Sequence, residues 1–334
     1  MKKVVLLVSM IAIFLVGCQN NIALITVNEE IPKKVAESVD EVLVKLTEAV
    51  TNSDADSFSK LCVPGTETLN SVYFNEFSNN GRLFIDFFLE KNLEKEAKYY
   101  ITDITKEGES VPYVTEGYDF VIPTPDGGEG SRVVYLAEGE YNNFDIMLTI
   151  VFAENDGDFK IEKFTLGDIR PYGDSIVSLI DKAEGLEAED NLISAWLYNE
   201  LAGEFISPSP YVYYSNEDLV ADSMVRIADM ITKDFTFPID VKIAEDTYVQ
   251  LYAITSNKYD DGFYCRVIYV SNVPENQANE TIIKTEAKKL HASASELLKG
   301  LGEGFDGNIL YTAYFEEPVE QGKDYKYLTV DIKE

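Results

Sequence analysis

The sequence is poor in the residues that most often carry chemistry. Among 334 residues there is one His, one Trp and three Cys. A single His excludes His-rich metal sites. It also leaves a hydrolytic triad dependent on one position, His291, whose neighbours supply no nucleophile or orienting group. His291 lies in a helical stretch beside Lys288, Lys289, Leu290 and Ser293, and reads as an ordinary helix-flank residue. Basic residues are also scarce. There are 28 Lys and Arg against 59 Asp and Glu, a net charge of −31. So acidic a chain does not neutralise phosphates, and no basic patch interrupts it, so nucleic acid is excluded as a partner. Acid is spread over both halves, with no acidic tail to act as an interaction arm. No cofactor is expected.

Long apolar runs are missing as well. The longest, Val4–Val16, spans 13 residues with Ser9 as its one interruption, and it comes after Lys2 and Lys3. As a helix it reaches roughly 20 Å, short of a hydrocarbon core of about 30 Å. A positive start and a short apolar stretch predict a signal peptide over 1–17 rather than a membrane span.

The end of that apolar run carries a more specific signal. Leu15-Val16-Gly17-Cys18 resembles the lipobox of bacterial lipoproteins at all four positions. That resemblance implies a diacylglyceryl thioether on Cys18, cleavage before it and an N-acylated terminus. The mature chain then runs 18–334, and losing Lys2 and Lys3 takes its charge to −33. Such a chain is repelled by an anionic membrane over a Debye length of about 8–10 Å, so lipid must hold it at the extracytoplasmic face. Each buried acyl CH₂ contributes about 0.8 kcal/mol, which makes two or three chains a durable anchor. Residues 18–32 are expected to form a tether, with Ile22–Val27 alternatively packing as an edge strand.

Beyond the tether the length predicts two domains, both α+β. In the first, 33–171, Val35, Val39, Val42, Leu46 and Ala49 give one apolar stripe over a helix at 33–51. Asn52-Ser53-Asp54 starts a second short helix, which Pro64-Gly65 ends. A further helix is expected near Leu83–Leu93. Strands are expected over Tyr99–Lys106, Arg132–Glu140, Phe144–Ala153 and Phe159–Leu166. This order resembles the cystatin-like cone of the nuclear-transport-factor and steroid-isomerase superfamily. The resemblance rests on the opening helix, the Asn52–Asp56 break and the closing hairpin Phe152–Phe164. In steroid-isomerase-like relatives an Asp base and a Tyr donor sit inside the cone. Asp103, Asp119 and Tyr100 are of the right types, but no motif assigns them those roles.

Gly167–Pro171 reads as punctuation, with the second domain at 172–334. Its helical part, 174–232, is expected to hold helices at 175–184, 189–205 and 218–232. The remainder, 237–333, is expected to be ββαββ, with a helix at 280–299 laid across a mainly antiparallel sheet. Ile283, Ala287, Leu290, Ala294 and Leu297 mark that helix's buried stripe.

Several motifs match only as letters. Gly302-x-Gly304-x-x-Gly307 has a helix before it and a strand after it, the reverse of a dinucleotide site, so it reads as a helix C-cap and loop. Asn155–Asp158 and Asp260–Gly262 fall between strands, without the ligand spacing of a calcium loop. No metal site is expected. Cys62 and Cys265 fall in different domains and read as separate buried thiols.

Tyrosine, by contrast, is abundant, with 21 residues. Tyr211, Tyr213 and Tyr214 come after two prolines, and Tyr311 and Tyr314 lie on a late strand. An exposed Tyr stacks on a sugar ring while its hydroxyl stays wet, and a buried one packs a strand. The three clustered tyrosines are the candidate ligand-contacting aromatics. The residues thus predict a lipid-anchored, non-enzymatic envelope protein that binds a cell-wall ligand or a protein partner. A cone-type enzyme or small-molecule binder and an envelope assembly factor are the rival readings.

Overall fold

A computed structural model describes residues 24–79, 93–102, 110–115, 118–123, 130–141, 144–209, 212–214, 217–234, 236–259, 261–318 and 323–332. Cys18 and the expected signal peptide lie outside them, as does most of the helix expected at Leu83–Leu93. Leu93 itself opens a strand. The chain is α+β, with seven helices and two five-stranded sheets rich in antiparallel pairs among the described residues.

The first sheet has the order β1-β2-β5-β6-β7, all antiparallel. It is built from β1 (Leu24–Val27), β2 (Leu93–Thr102), β5 (Arg132–Tyr141), β6 (Phe144–Asn155) and β7 (Asp158–Pro171). Between β2 and β5 run β3 (Ser110–Thr115) and β4 (Tyr118–Pro123), a hairpin absent from the sequence expectations. β1 is an edge strand, so the end of the expected tether pairs with the sheet. β6 and β7 meet at Asp156-Gly157, both with positive φ (54° and 88°), the geometry of a two-residue hairpin turn rather than a cation loop.

Three helices cover one face of this sheet. α1 (Lys33–Thr51) begins after Pro32, and its stripe buries Val39, Val42, Leu46 and Ala49. α2 (Ala55–Leu61) is capped by Asp54, whose carboxylate accepts from Ser57 N at 3.0 Å. α3 (Glu67–Asn79) was not expected, because one of its inward positions is polar. Asn70 is 1% exposed yet fully engaged. Its Oδ1 accepts from Phe164 N at 3.1 Å, and its Nδ2 donates to Glu162 O at 3.3 Å and Thr66 Oγ1 at 3.2 Å. The amide thus ties α3 to β7 at full hydrogen-bond satisfaction. Phe58, Phe74, Phe152, Phe164 and Leu46 fill the space between helices and sheet, with Phe58 stacked on Phe74 at 4.4 Å.

The other face of the first sheet is covered too. Residues 132–139 of β5 are buried without a break. Val133, Tyr135 and Ala137 belong to the cluster with α1–α3, whereas Val134 and Leu136 belong to a second cluster shared with the C-terminal half. That cluster draws in α4 (Ile176–Ala188), α5 (Leu192–Glu204) and α6 (Glu217–Asp234). Apolar burial therefore continues across Pro171. β7 also runs unbroken through Gly167–Pro171, where composition reads as punctuation. Gly167 is needed there, since a Cβ on it would lie 1.8 Å from the Pro208 carbonyl oxygen. α4 continues through Gly185, and the break before α5 falls instead at 189–191. β8 (Tyr213–Tyr214) pairs with β4 in a small sheet of order β3-β4-β8.

The second sheet has the order β13-β12-β11-β10-β9: β9 (Ile239–Ala244), β10 (Thr247–Tyr259), β11 (Gly262–Val270), β12 (Ile309–Tyr314) and β13 (Tyr327–Asp331). β11 and β12 are parallel, and α7 (Glu280–Leu297) is the crossover between them. α7 is capped by Asn279, whose Oδ1 accepts from Ile282 N at 3.1 Å, and it buries Ile283, Ala287, Leu290 and Ala294 as its stripe predicts. Leu297, counted in the same stripe, is half exposed. The loop after α7 reverses through Gly300, Gly302, Gly304 and Gly307, all at positive φ. Ser194 Oγ and Tyr198 Oη of α5 each donate at 2.5 Å to carbonyls within it. The glycine triplet is a structural loop.

Candidate functional site

The two faces of the second sheet are unlike. One is sealed by α7 and the C-terminal part of α5. Phe263, Cys265, Val267 and Tyr269 of β11 and Ile309, Tyr311 and Ala313 of β12 point into it and are buried. Glu286 of α7 is buried there and accepts from Tyr269 Oη at 3.1 Å, Ser271 Oγ at 2.6 Å and Asn272 N at 3.1 Å. Glu200 of α5 accepts from the amide and hydroxyl of Ser256, at 2.8 and 2.7 Å. Both carboxylates are therefore fully employed as connectors. His291 Nδ1 lies 2.7 Å from Tyr311 Oη, and burial holds its pKa below the usual 6.5. Burial likewise pushes the Cys265 thiol to about 12 and the Cys62 thiol to about 11. Both cysteines are free, protonated and inert.

The opposite face carries no helix among the described residues, since α7 and α5 send their bonds to the sealed side. Because strand side chains alternate, the same strands place a second set of residues here. Register aligns Ile268 with Thr312 and Thr312 with Thr329, and Val270 with Tyr314 and Tyr314 with Tyr327. Tyr314 lies 5.4 Å from Tyr327, tilted by 47°, and 6.2 Å from Tyr325 in an edge contact. Tyr252 sits at a bulge in β10, where a register shift falls between Leu251 and Ala253. Partial burial, with Glu317 and Tyr325 near, raises its pKa. Lys323 Nζ stands 4.6 Å from the centre of the Tyr325 ring. Tyr327 is 55% exposed and Tyr248, on the same face, 52%. Across the sheet from these rings, Arg266 Nε donates to Thr312 Oγ1 at 2.9 Å, and Thr312 meets Thr329 at 3.0 Å.

Charge of both signs lies on this face. Its strand side chains include two acids, Asp240 and Asp331, and two bases, Lys242 and Arg266. Beyond the strands, Glu317 stands near Tyr252, Asp261 accepts from Tyr264 Oη at 2.9 Å and Glu316 pairs with Lys323, so acid prevails on this face too.

Other candidate positions do not assemble here. Tyr211 lies outside the described residues. Tyr213 is half-buried, and Tyr214 is 3% exposed in the core. Both pair with β4, so Tyr214 packs rather than presenting its ring. Asp103 also lies outside the described residues, and Asp119 falls on β4. Tyr100 hydrogen-bonds Ser131 Oγ at 3.3 Å and packs edge-on to Phe159. No group of three or more metal-ligating side chains occurs among the described residues, and no described helix is long and apolar enough to cross a membrane.

A second concavity, of about 420 Å³, lies between β7 and the end of α5 and is lined by Asp168, Glu204, Phe205 and Lys258. Lys258 pairs with Asp168 and rests over the Phe205 ring at 5.4 Å. Burial raises the Glu204 pKa, Lys258 opposes that rise, and Glu200 and Asp168 reinforce it. The charges here close on one another and tie the first sheet to the second.

No protein-family model, curated protein or solved structure matches the chain. The tyrosine face escaped the sequence reading because Tyr311 and Tyr314 sit three apart on one strand and so face opposite ways. Only register separates the packing tyrosine from the presented one.

Proposed function

We propose that this protein is a lipid-anchored, non-enzymatic binding protein of the extracytoplasmic membrane surface, held by diacylglyceryl on Cys18, that engages its ligand or partner through the open face of the second sheet. The observation that carries the binding reading is the asymmetry of that sheet. One face is closed by α7; the other carries Tyr252, Tyr314 and Tyr325, half-buried, and Tyr327, exposed, with no helix over them among the described residues. The anchor rests on the lipobox resemblance at Leu15–Cys18. The first half is read as a cystatin-like cone, supported by three helices laid on one face of an antiparallel sheet. In this reading the cone is a scaffold. Phe58, Phe74 and Phe164 fill the space between the helices and the sheet.

Membrane fractionation with mass spectrometry tests the anchor. The mature wild type is expected in the membrane fraction with an acylated Cys18 at its N-terminus, and Cys18→Ala is expected to accumulate as unprocessed precursor. An unmodified Cys18 in the wild-type membrane fraction would refute the anchor.

A further inference from the structure

We infer that the first sheet is a strut that holds the second sheet away from the bilayer: the lipid tether enters at one end of it, and the second sheet is joined at the other. This goes beyond the proposed function by fixing where the second sheet stands, and it rests on that proposal's attachment at Cys18.

Register fixes where the tether enters. Leu24 of β1 pairs with Thr102 of β2, and Ile25 pairs with Ile101. Ile101 in turn pairs with Arg132, Arg132 with Ala153 and Ala153 with Lys160. The chain therefore joins the sheet at the end where Asp156-Gly157 turns β6 into β7. Cys18 comes six residues before Leu24, a reach of at most about 22 Å even when fully extended. The second sheet is attached elsewhere. Lys258, at the β10–β11 hairpin, pairs with Asp168, and Phe263 of β11 meets the Tyr172 ring edge-on at 5.0 Å. Asp168 is eight residues beyond Lys160 along β7, roughly 27 Å at about 3.4 Å per residue. Both contacts thus fall at the opposite end of the strand from the tether. Charge decides which way the long axis points. Residues 172–334 hold 30 Asp and Glu against 13 Lys and Arg, and the turn on the tether side is itself acidic at Glu154, Asp156 and Asp158. An anionic bilayer repels such a surface over about 8–10 Å, and only the tethered end is held against that repulsion. The acidic mass therefore stands off, and the junction at Lys258 faces away from the lipid. What meets the second sheet there is a component of the envelope beyond the headgroup layer, not a headgroup.

The test imposes the attachment chemically. The mature chain, 18–334, is coupled through its Cys18 thiol to a maleimide lipid in vesicles of phosphatidylcholine and phosphatidylglycerol. Cys62 and Cys265 are buried, with thiol pKa values pushed up by that burial, and do not compete. A fluorescent side chain is placed at Asp158, beside the turn, or at Asp261, beside the junction; both positions are exposed. A headgroup-borne quencher is expected to remove several times more emission at 158 than at 261. In phosphatidylcholine alone, where the repulsion is absent, that contrast should shrink. Equal quenching at the two positions, stronger quenching at 261, or none at either overturns the inference. A contrast unchanged in the neutral vesicles overturns the part given to charge. Because the attachment is made by hand, this result is independent of whether cells acylate Cys18. Failure of the anchor shows separately, as an unmodified Cys18 in the membrane fraction.

Discussion

Truncating the chain after Pro171 removes α4 and α5 from the first sheet and leaves one sheet face in water. On that face stand Ile101, Val134, Leu136, Met147, Val151 and Ile169, all buried within the cluster that also holds Leu179, Leu197 and Leu201. Each such side chain contributes about 1.5–3 kcal/mol when fully buried, so six contribute roughly 9–18 kcal/mol as an upper bound. A whole domain is typically stable by only about 5–15 kcal/mol. The loss rivals the total, and the core on the α1–α3 face has no surplus to replace it. A 24–171 fragment is therefore expected to associate or to lose fixed tertiary packing. The assays are near-UV circular dichroism, dye binding to exposed apolar surface, and sedimentation, each against the full chain. The full chain itself should unfold in one transition, because a shared cluster couples its halves. A monomeric fragment 24–171 with a cooperative melt at the full chain's temperature would refute the reasoning. It would restore two autonomous domains divided at residue 171.

The buried stripe of α7 makes a paired prediction. Leu290 is fully buried while Lys289 beside it is exposed, so Leu290→Asp should cost several kcal/mol and lower the melting temperature strongly, whereas Lys289→Asp should shift it little. Equal, small shifts by thermal melting would mean that α7 does not pack on the sheet. His291 gives a pH dependence. Its folded pKa is depressed below 6.5, so the unfolded chain takes up the proton first. Its contribution is complete above about pH 6.5 and is lost as pH falls through the folded value. The gap in melting temperature between wild type and His291→Gln should therefore narrow on acidification from pH 7.5 to 5, and a gap independent of pH would contradict the neutral, buried imidazole.

How much of this was legible in the sequence depended on how many faces an element buries. α1 packs one face, so its 4-3-4-3 stripe locates it, and Pro32 and Asn52 mark its ends. α7 and the α2 cap at Asp54 were legible for the same local reasons. α5 lies against α4 and α6 and reaches the second sheet through Glu200. It buries Ile193, Ser194, Ala195, Leu197, Tyr198, Asn199, Leu201 and Ala202, which takes in every side of the helix. Such a helix has no amphipathic period, so its pattern does not say what it packs against. α3 was missed because Asn70 occupies a core position that composition assigns to an apolar residue. Two of its partners, Phe164 and Glu162, are over ninety residues away. Continuity of the core across Pro171 was likewise invisible. It is a property of β5, whose alternate residues serve two different clusters, and sequence order does not say what covers a strand's second face.

The candidate site arises from the same non-local fact. Any crossover between parallel neighbours lays its helix on one face of the sheet, and α7 does so between β11 and β12. That one connection decides the fate of every residue on both strands. Tyr269 and Tyr311 fall beneath the helix, lose water and give their hydroxyls to Glu286 and His291. Ile268, Thr312 and Tyr314, their neighbours in sequence or a little beyond, fall on the other side. Nothing in the composition of β12 distinguishes Tyr311 from Tyr314. The distinction is the parity of position relative to a helix that begins at Glu280, well before the strand. A buried tyrosine is explained once its hydroxyl has a partner. On the other face Tyr314 packs against Tyr325 and Tyr327 with no helix above them among the described residues. These contacts stabilise the sheet as cross-strand aromatic pairs do, while Tyr327 still leaves 55% of its surface to solvent. The ground for preferring this face to the cavity at Lys258 is that it keeps an aromatic surface in contact with water, whereas the Lys258–Asp168 pair already closes that cavity's charges on one another.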